Sequence, residues 1–243
     1  MWYVVQTMSG EEEKFKKTYE TINNNSVICN LFIPLIELKK RYHRKWNSVK
    51  KIMFPGYVFV ETEQIEKFAE KMPDVKCFSK LLKAEDKILT VTEEEKHFLE
   101  SIMDENYCVN YSQGFIVGEN VVITEGVLRN KNALIRKVDR HRRIAMLDVN
   151  IFGRRTPVEV GFGAFAKVTD EQWEQIRQNN ISRHEHVNKS PQDDNVKIIT
   201  GVFHGMTGKL VSLNTAHNEC VVELQLFDAD VNVSFGREEV EFL

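Results

Sequence analysis

The strongest constraint on this chain is that part of it occurs twice. Shifting the sequence by 75 positions lays Val121-Val122-Ile123-Thr124-Glu125-Gly126-Val127-Leu128 over Val196-Lys197-Ile198-Ile199-Thr200-Gly201-Val202-Phe203, and Ile151-Phe152-Gly153 over Leu226-Phe227-Asp228. Further on the second copy is two residues shorter, and Val158-Glu159-Val160 meets Val231-Asn232-Val233 at an offset of 73. Both copies alternate apolar and polar residues in short runs separated by turn residues, which predicts two small all-β barrels, over residues 117–168 and 194–243. Gly201, Gly205 and Gly208 supply the tight or left-handed conformations such a turn needs, whereas the first copy has Gly126, Asn130 and Ala133 at the matching places. Alanine tolerates the left-handed region poorly, so the first copy's turn must differ.

Ahead of the repeat, residues 1–105 alternate extended and helical patterns. Trp2 to Val5 reads as a strand, and Phe15, Tyr19 and Ile22 recur at helical spacing behind Ser9 as a candidate cap. Val27–Ile33 reads as extended, and residues 39–46 as an exposed hairpin tip. Phe54–Val60 reads as an unusually aromatic strand, 64–72 as a helix and 75–82 as a strand. Thr92 with Glu95 forms a capping box that opens another helix. The economical architecture is α+β: an antiparallel sheet flanked by helices, a linker over 106–116, then the two barrels. Between the barrels, residues 169–193 are a short helix starting at Thr169 and then a solvated linker, whose polar composition runs from Asn179 to Asp194.

Composition excludes several classes. Of the 243 residues 42% are hydrophobic, enough for buried cores. No apolar run approaches the roughly 18–20 residues of a membrane span, and the first residues lack the pattern of a secretory signal. Cys29, Cys77, Cys108 and Cys220 are scattered without a Cys-x-x-Cys, which disfavours zinc ribbons and disulfide scaffolds and points to a reducing cytoplasm. The net charge of -3 hides two basic islands. Residues 37–53 hold seven basic residues against one acidic, and residues 113–168 hold ten against five. By contrast, residues 169–243 hold six against thirteen. Concentrated positive charge on part of an acidic protein is the footprint of a polyanion partner, although any one run also reads as a solvated face.

Two constellations stand out. Along Phe54-Pro55-Gly56-Tyr57-Val58-Phe59-Val60 the side chains alternate, so the aromatic residues cannot all enter one core. One face must be covered or exposed as an apolar patch for a partner. Lys39, Lys40, Arg41, Arg44, Lys45, Lys50 and Lys51 can neutralise phosphates, with Tyr42, His43 and Trp46 placed to stack on unpaired bases; Arg140, Arg142 and Arg143 repeat the basic theme in the first barrel. No phosphate loop, nucleophile elbow or His-Glu-x-x-His helix is present, so no enzyme is expected, nor any cofactor. His184-Glu185-His186 lacks further ligands, and no metal site is expected.

Trp2-Tyr3-Val4-Val5-Gln6 with Ser9-Gly10-Glu11, the Phe54-Pro55-Gly56-Tyr57 strand, and Gly118–Gly126 with Ile151-Phe152-Gly153-Arg154-Arg155-Thr156-Pro157 resemble the NusG family of transcription elongation factors over about residues 1–168. The resemblance implies an N-terminal NGN domain followed by KOW barrels. Residues 194–243 resemble an additional KOW module without the Gly-Arg-x-Thr-Pro segment. Lys80-Leu81-Leu82-Lys83 departs from the general factor's glycine-rich segment and looks more like the specialised LoaP, UpxY or RfaH type of antiterminator. The resemblance also implies roles for particular residues. Phe54, Pro55, Tyr57 and Phe59 would dock on the clamp helices of RNA polymerase. The basic hairpin would approach non-template DNA or nascent RNA. Ile151 and Phe152 would lie on an exposed loop that meets a ribosomal protein or Rho. The second KOW lies in acidic ground, so it is expected to meet a protein, with Phe227 as the contact. A monomer is expected. Refolding of the first KOW into a helical hairpin is not, because Ile144–Ile151 alternates with period two. The alternatives are a general NusG-type pausing or termination factor and, from another class, a ribosome- or RNA-binding KOW protein, which a pI near 6.2 disfavours.

Overall fold

The computed structural model describes residues 1–22, 29–75, 77–84, 87–129, 131, 134–185, 195–215, 218–227 and 229–243. The fold is α+β, dominated by antiparallel sheet, and divides into two compact units: Met1–Tyr111 with Ala133–Phe162, and Ser112–Asn132 with Gly163–Leu243.

In the first unit β1 (Trp2–Thr7), β2 (Cys29–Phe32), β5 (Tyr57–Thr62) and β6 (Ser79–Leu81) form one antiparallel sheet in the order β2-β5-β1-β6. The pairing Val4↔Phe59 and Val5↔Val58 sorts the side chains. Tyr3, Val5, Val58 and Val60 enter one core with Phe15 and Tyr19 of α1 (Glu12–Ile22) and with Ile65 and Phe68 of α2 (Ile65–Lys71). Trp2, Phe32 and Phe59 instead meet one another. The strand expected over 75–82 is shortened to β6, because its partner β1 ends at Thr7, opposite Ser79. No side-chain cap by Ser9 is found among the described residues. The fully buried Glu12 accepts from the N–H of Gly10 at 2.7 Å and of Gly56 at 2.6 Å, tying the head of α1 to the turn before β5. Both halves of the predicted box at Thr92 and Glu95 are present at the start of α3 (Glu93–Ile102).

The basic run is a hairpin, β3 (Leu35–Tyr42) and β4 (Lys45–Ile52), turning through His43 and Arg44 at φ 45° and 64°. Its base pairs in parallel with β9 (Cys108–Val109), and β7 (Lys83–Ala84) with β8 (Lys87–Ile88) forms a small ladder. Asp104 holds the turn before β9, accepting from Asn106 N–H at 2.8 Å, Cys108 N–H at 2.9 Å and Asn110 Nδ2 at 3.1 Å. Burial pushes its pKa up, but these donors and Lys50 outweigh it, so the carboxyl lies below the ordinary value. A depressed carboxylate stabilises the fold above its ordinary pKa, and that contribution disappears as pH falls through the folded value. Asp104→Asn is therefore expected to cost about 1 kcal/mol at neutral pH, after allowance for partial solvent exposure. In thermal melts at decreasing pH, its deficit against the parent should close in the acid range.

The rest of the first unit comes from within the first repeat: β12 (Ile135–Asp139), β13 (Ile144–Ile151) and the first part of β14 (Arg154–Val168). The second unit contains β10 (Ser112–Val117) paired with β11 (Asn120–Glu125), the end of β14 and α4 (Asp170–Glu185). It also contains a sheet of β15 (Asn195–Ile198), β16 (Thr207–Asn214), β17 (Glu219–Leu226), β18 (Ala229–Gly236) and β19 (Val240–Phe242), ordered β18-β17-β16-β15-β19. Residues 117–168 thus contribute to both units. The linker expected from Asn179 is helical as far as Glu185, because α4 is capped by Thr169 (Gln172 N–H to Oγ1, 3.2 Å) and anchored by Trp173 and Ile176 in the core. The part of that expectation over 186–194 lies outside the described residues, as do Asn130 and Ala133 of the first repeat's turn.

The repeat is legible strand by strand. β13 and β17 are each eight residues long and begin 75 positions apart. The first ends in a two-residue hairpin closed by Ile151↔Arg154, and at the matching place in the second Leu226 pairs with Ala229. Gly201 and Gly205 adopt φ 68° and 86°, while Gly208 is needed for space, since a Cβ there would lie 2.5 Å from the Glu223 carbonyl. Among the described residues no helix is long and apolar enough to cross a membrane.

Candidate functional site

The face of the first sheet turned away from α1 and α2 is aromatic. Trp2 meets Phe32 edge-on at 4.8 Å, Phe32 stacks on Phe59 at 5.3 Å, and Phe54 approaches Phe59 at 5.9 Å. Tyr107 stacks flat on Phe32 at 3.9 Å. Of the residues singled out on this strand, Phe59 is 0% and Phe54 5% exposed, Tyr57 is half-buried and Pro55 is exposed. The aromatic rings do not lie open, because the β13–β14 hairpin tip closes over them. Phe152 lies 5.4 Å from Tyr57, 5.9 Å from Phe59 and 6.1 Å from Phe54. Beside it Gly153 N–H donates to Glu95 Oε1 at 3.2 Å.

This tip is unusual chemistry for a tight turn. Phe152 and Gly153 both have positive φ, 57° and 68°, as a two-residue hairpin of this hand requires, and Asn-Gly is the usual solution. A phenylalanine there costs on the order of 1 kcal/mol in backbone strain, so the ring must be retained for what it touches. Ile151, expected on an exposed loop, is fully buried: strand alternation turns it inward while the neighbouring Phe152 turns to the aromatic face. The same device recurs in the second unit. Phe227 has φ 55° and lies 5.1 Å from Phe115, 5.9 Å from Phe165 and 6.3 Å from Trp173. It is packed against that unit's core rather than freely presented.

The basic residues are mostly at the surface. Lys40, Arg41, Arg44, Lys45, Lys50, Lys51, Arg140 and Arg142 are exposed, while Lys39 and Arg143 are half-buried. The hairpin's single acid, Glu37, accepts from the Ser48 hydroxyl and from Tyr111 N–H at 3.1 Å, with Lys39 at 3.6 Å. The Ser48 hydroxyl is the main reason its pKa lies below the ordinary carboxylate value, ahead of the Tyr111 amide and Lys39. Two contacts join the β12–β13 turn to the hairpin. The Arg143 guanidinium lies 4.1 Å over the Trp46 ring, and Glu159 pairs with both Arg142 at 3.0 Å and Lys51 at 3.9 Å. The roles of Glu12, Glu95 and Glu159 were invisible in the sequence, since each depends on a partner 44 to 108 positions away, Glu12 with Gly56, Glu95 with Gly153 and Glu159 with Lys51. Among the described residues no group of three or more His, Cys, Asp or Glu side chains is arranged to hold a metal ion.

Residues 1–100 match the family model described as "Transcription termination factor nusG". A transcription termination/antitermination protein NusG from Halalkalibacterium halodurans is 30% identical over 174 residues, covering 69% of this chain and 98% of that protein. Its counterpart from Helicobacter pylori strain J99 is 29% identical over 175 residues, with 69% and 98% covered. A solved structure titled "Domain interaction in Thermotoga maritima NusG" aligns over 99% of this chain and 95% of its own, at 19% identity and a TM-score of 0.26. With a relative 30% identical and covered almost end to end, and the family model matched over residues 1–100, the chain belongs to the NusG family. That family is one of transcription factors acting on transcription complexes, not of enzymes.

Proposed function

We propose that this chain is a specialised elongation factor of the antiterminating kind. It docks on RNA polymerase through Phe54, Pro55, Tyr57 and Phe59, and its basic residues reach the nascent RNA or the non-template DNA. Residues 1–105 act as the NGN domain, and 117–168 and 194–243 as two KOW modules. The first module is the candidate contact for a ribosomal protein or Rho, the second for another protein. The observation that carries this reading is the aromatic face under Phe152: Lys96 of α3 lies over Trp2 and Tyr107 over Phe32, while Phe54, Tyr57 and Phe59 are met by one strained hairpin tip. A cover of that kind can be withdrawn without unfolding the core on the other face of the sheet. Polymerase docking on this surface then requires the hairpin to leave.

The test is transcription across a terminator with purified polymerase, paired with direct binding. Tyr57→Ala is expected to weaken polymerase binding at least about tenfold, the effect of losing an aromatic contact of roughly 1.5 kcal/mol or more. It should lower the melting temperature far less than Phe59→Ala, which empties a fully buried site at a cost of about 3–5 kcal/mol. Increased readthrough by the parent chain supports antitermination, and increased termination overturns it. Equal loss of stability and binding in Tyr57→Ala returns this side chain to the core.

A further inference from the structure

The two basic islands lie about a hundred positions apart in the sequence, where they form two separate features. Folding joins them within the first unit. Arg143 at the end of the β12–β13 turn stacks over Trp46 of the hairpin, and Glu159 bridges Arg142 to Lys51. These contacts consume Arg142, Arg143 and Lys51. They leave Lys40, Arg41, Arg44 and Lys45 on the hairpin and Arg140 on the turn exposed, with no ion-pair partner among the described residues. At the hairpin tip Tyr42 is 69% exposed, set edge-on to His43 at 4.1 Å, and Trp46 is 37% exposed beside the Arg143 guanidinium. The tip is itself built from His43 and Arg44 at positive φ, where glycine or asparagine would cost less. Charge is thus kept at the tip at a conformational cost.

We infer that the hairpin tip and the β12–β13 turn form one binding site for an unpaired polynucleotide strand, with Arg44 and Arg140 taking phosphates from its two sides and Tyr42 stacking on a base. This rests on the proposed nucleic-acid role of the basic residues and narrows it in two ways. The class is a single strand, because exposed rings beside unpaired cations can stack only on bases that no partner strand covers. The site is also joint. β13 runs from the turn that carries Arg143 to the tip that carries Phe152, so one eight-residue strand ends at both contacts. The joint site therefore belongs to the chain with Phe152 seated, before polymerase docking; once the tip lifts, the turn parts from the hairpin and Lys40, Arg41, Arg44 and Lys45 alone face the strand.

The full-length chain is titrated with labelled oligouridine and oligothymidine of about 15 nucleotides and with duplex RNA of the same length. The proposal expects one strand per chain, duplex bound at least about tenfold more weakly, and affinity falling steeply with salt. The RNA and DNA arms report which strand is preferred. Trp46→Leu, which keeps every charge, is expected to lower strand affinity about fivefold and to shrink the loss caused by Arg140→Ala, since the turn is then no longer held beside the hairpin. Phe152→Asn is expected to weaken strand binding in the same direction. Binding that persists with strictly additive losses for Trp46→Leu and Arg140→Ala, or with two strands per chain, overturns the joint site while sparing the broader reading. Duplex bound as tightly as strand overturns the strand class. No salt-dependent binding of any probe overturns both.

Discussion

Phe152→Asn is expected to bind core RNA polymerase about 10- to 30-fold more tightly than the parent chain, because releasing a seated phenylalanine forfeits roughly 2 kcal/mol of apolar burial from the closed form. The ring touches Phe54, Tyr57 and Phe59, three of the four side chains assigned to polymerase contact, so both cannot be satisfied at once. An occluded site binds with its intrinsic affinity reduced by the competent fraction, and weakening the cover raises that fraction. Asparagine is the informative replacement, since it accepts the positive φ at 152 and leaves the hairpin turn intact. Phe227→Asn makes the same change in the matching turn of the second repeat and is expected to leave polymerase affinity unchanged. Interferometry on immobilised polymerase reads both. Unchanged or weaker binding by Phe152→Asn would show that the ring is part of the contact surface and not its cover.

Replacing Lys40, Arg41, Arg44 and Lys45 together by alanine is expected to lower affinity for a single strand by at least about a hundredfold at moderate salt. For single strands each neutralised phosphate contributes about 0.7 to the dependence of log affinity on log salt, so the slope should fall by up to roughly 3. All four side chains are exposed on a two-stranded hairpin that contributes nothing to the core around Phe15, Tyr19 and Phe68 beyond its base, so stability should change little. Anisotropy titrations across a salt series make the measurement. A slope equal to the parent's would mean that these cations do not meet phosphates.

Much of the fold was readable in the residue order. Period-two alternation gave β13 and its partner β17 at one offset, and the Thr92–Glu95 box marked the start of α3 to the residue. The basic hairpin was legible because a run with so little apolar content cannot be buried and so must be surface. Other features misled. α4 has no apolar stripe to announce its length; it is helical to Glu185 because Trp173 and Ile176 find a core to anchor in and Thr169 caps its start. β6 is shorter than its pattern because β1, the strand it pairs with, ends at Thr7 opposite Ser79.

Local residue order determined what is written in spacing: the repeated strands, the alternation that splits the Phe54–Val60 strand, and the two islands of charge. Only the tertiary structure decided that Phe152 closes over Phe54, Tyr57 and Phe59, that Ile151 turns inward, and that Arg143 comes to rest on Trp46. The physical reason is range. Alternation and turn preference act over a few residues and leave their mark in sequence, whereas a contact between side chains about a hundred positions apart is set by how whole sheets bury their faces, which no local pattern encodes.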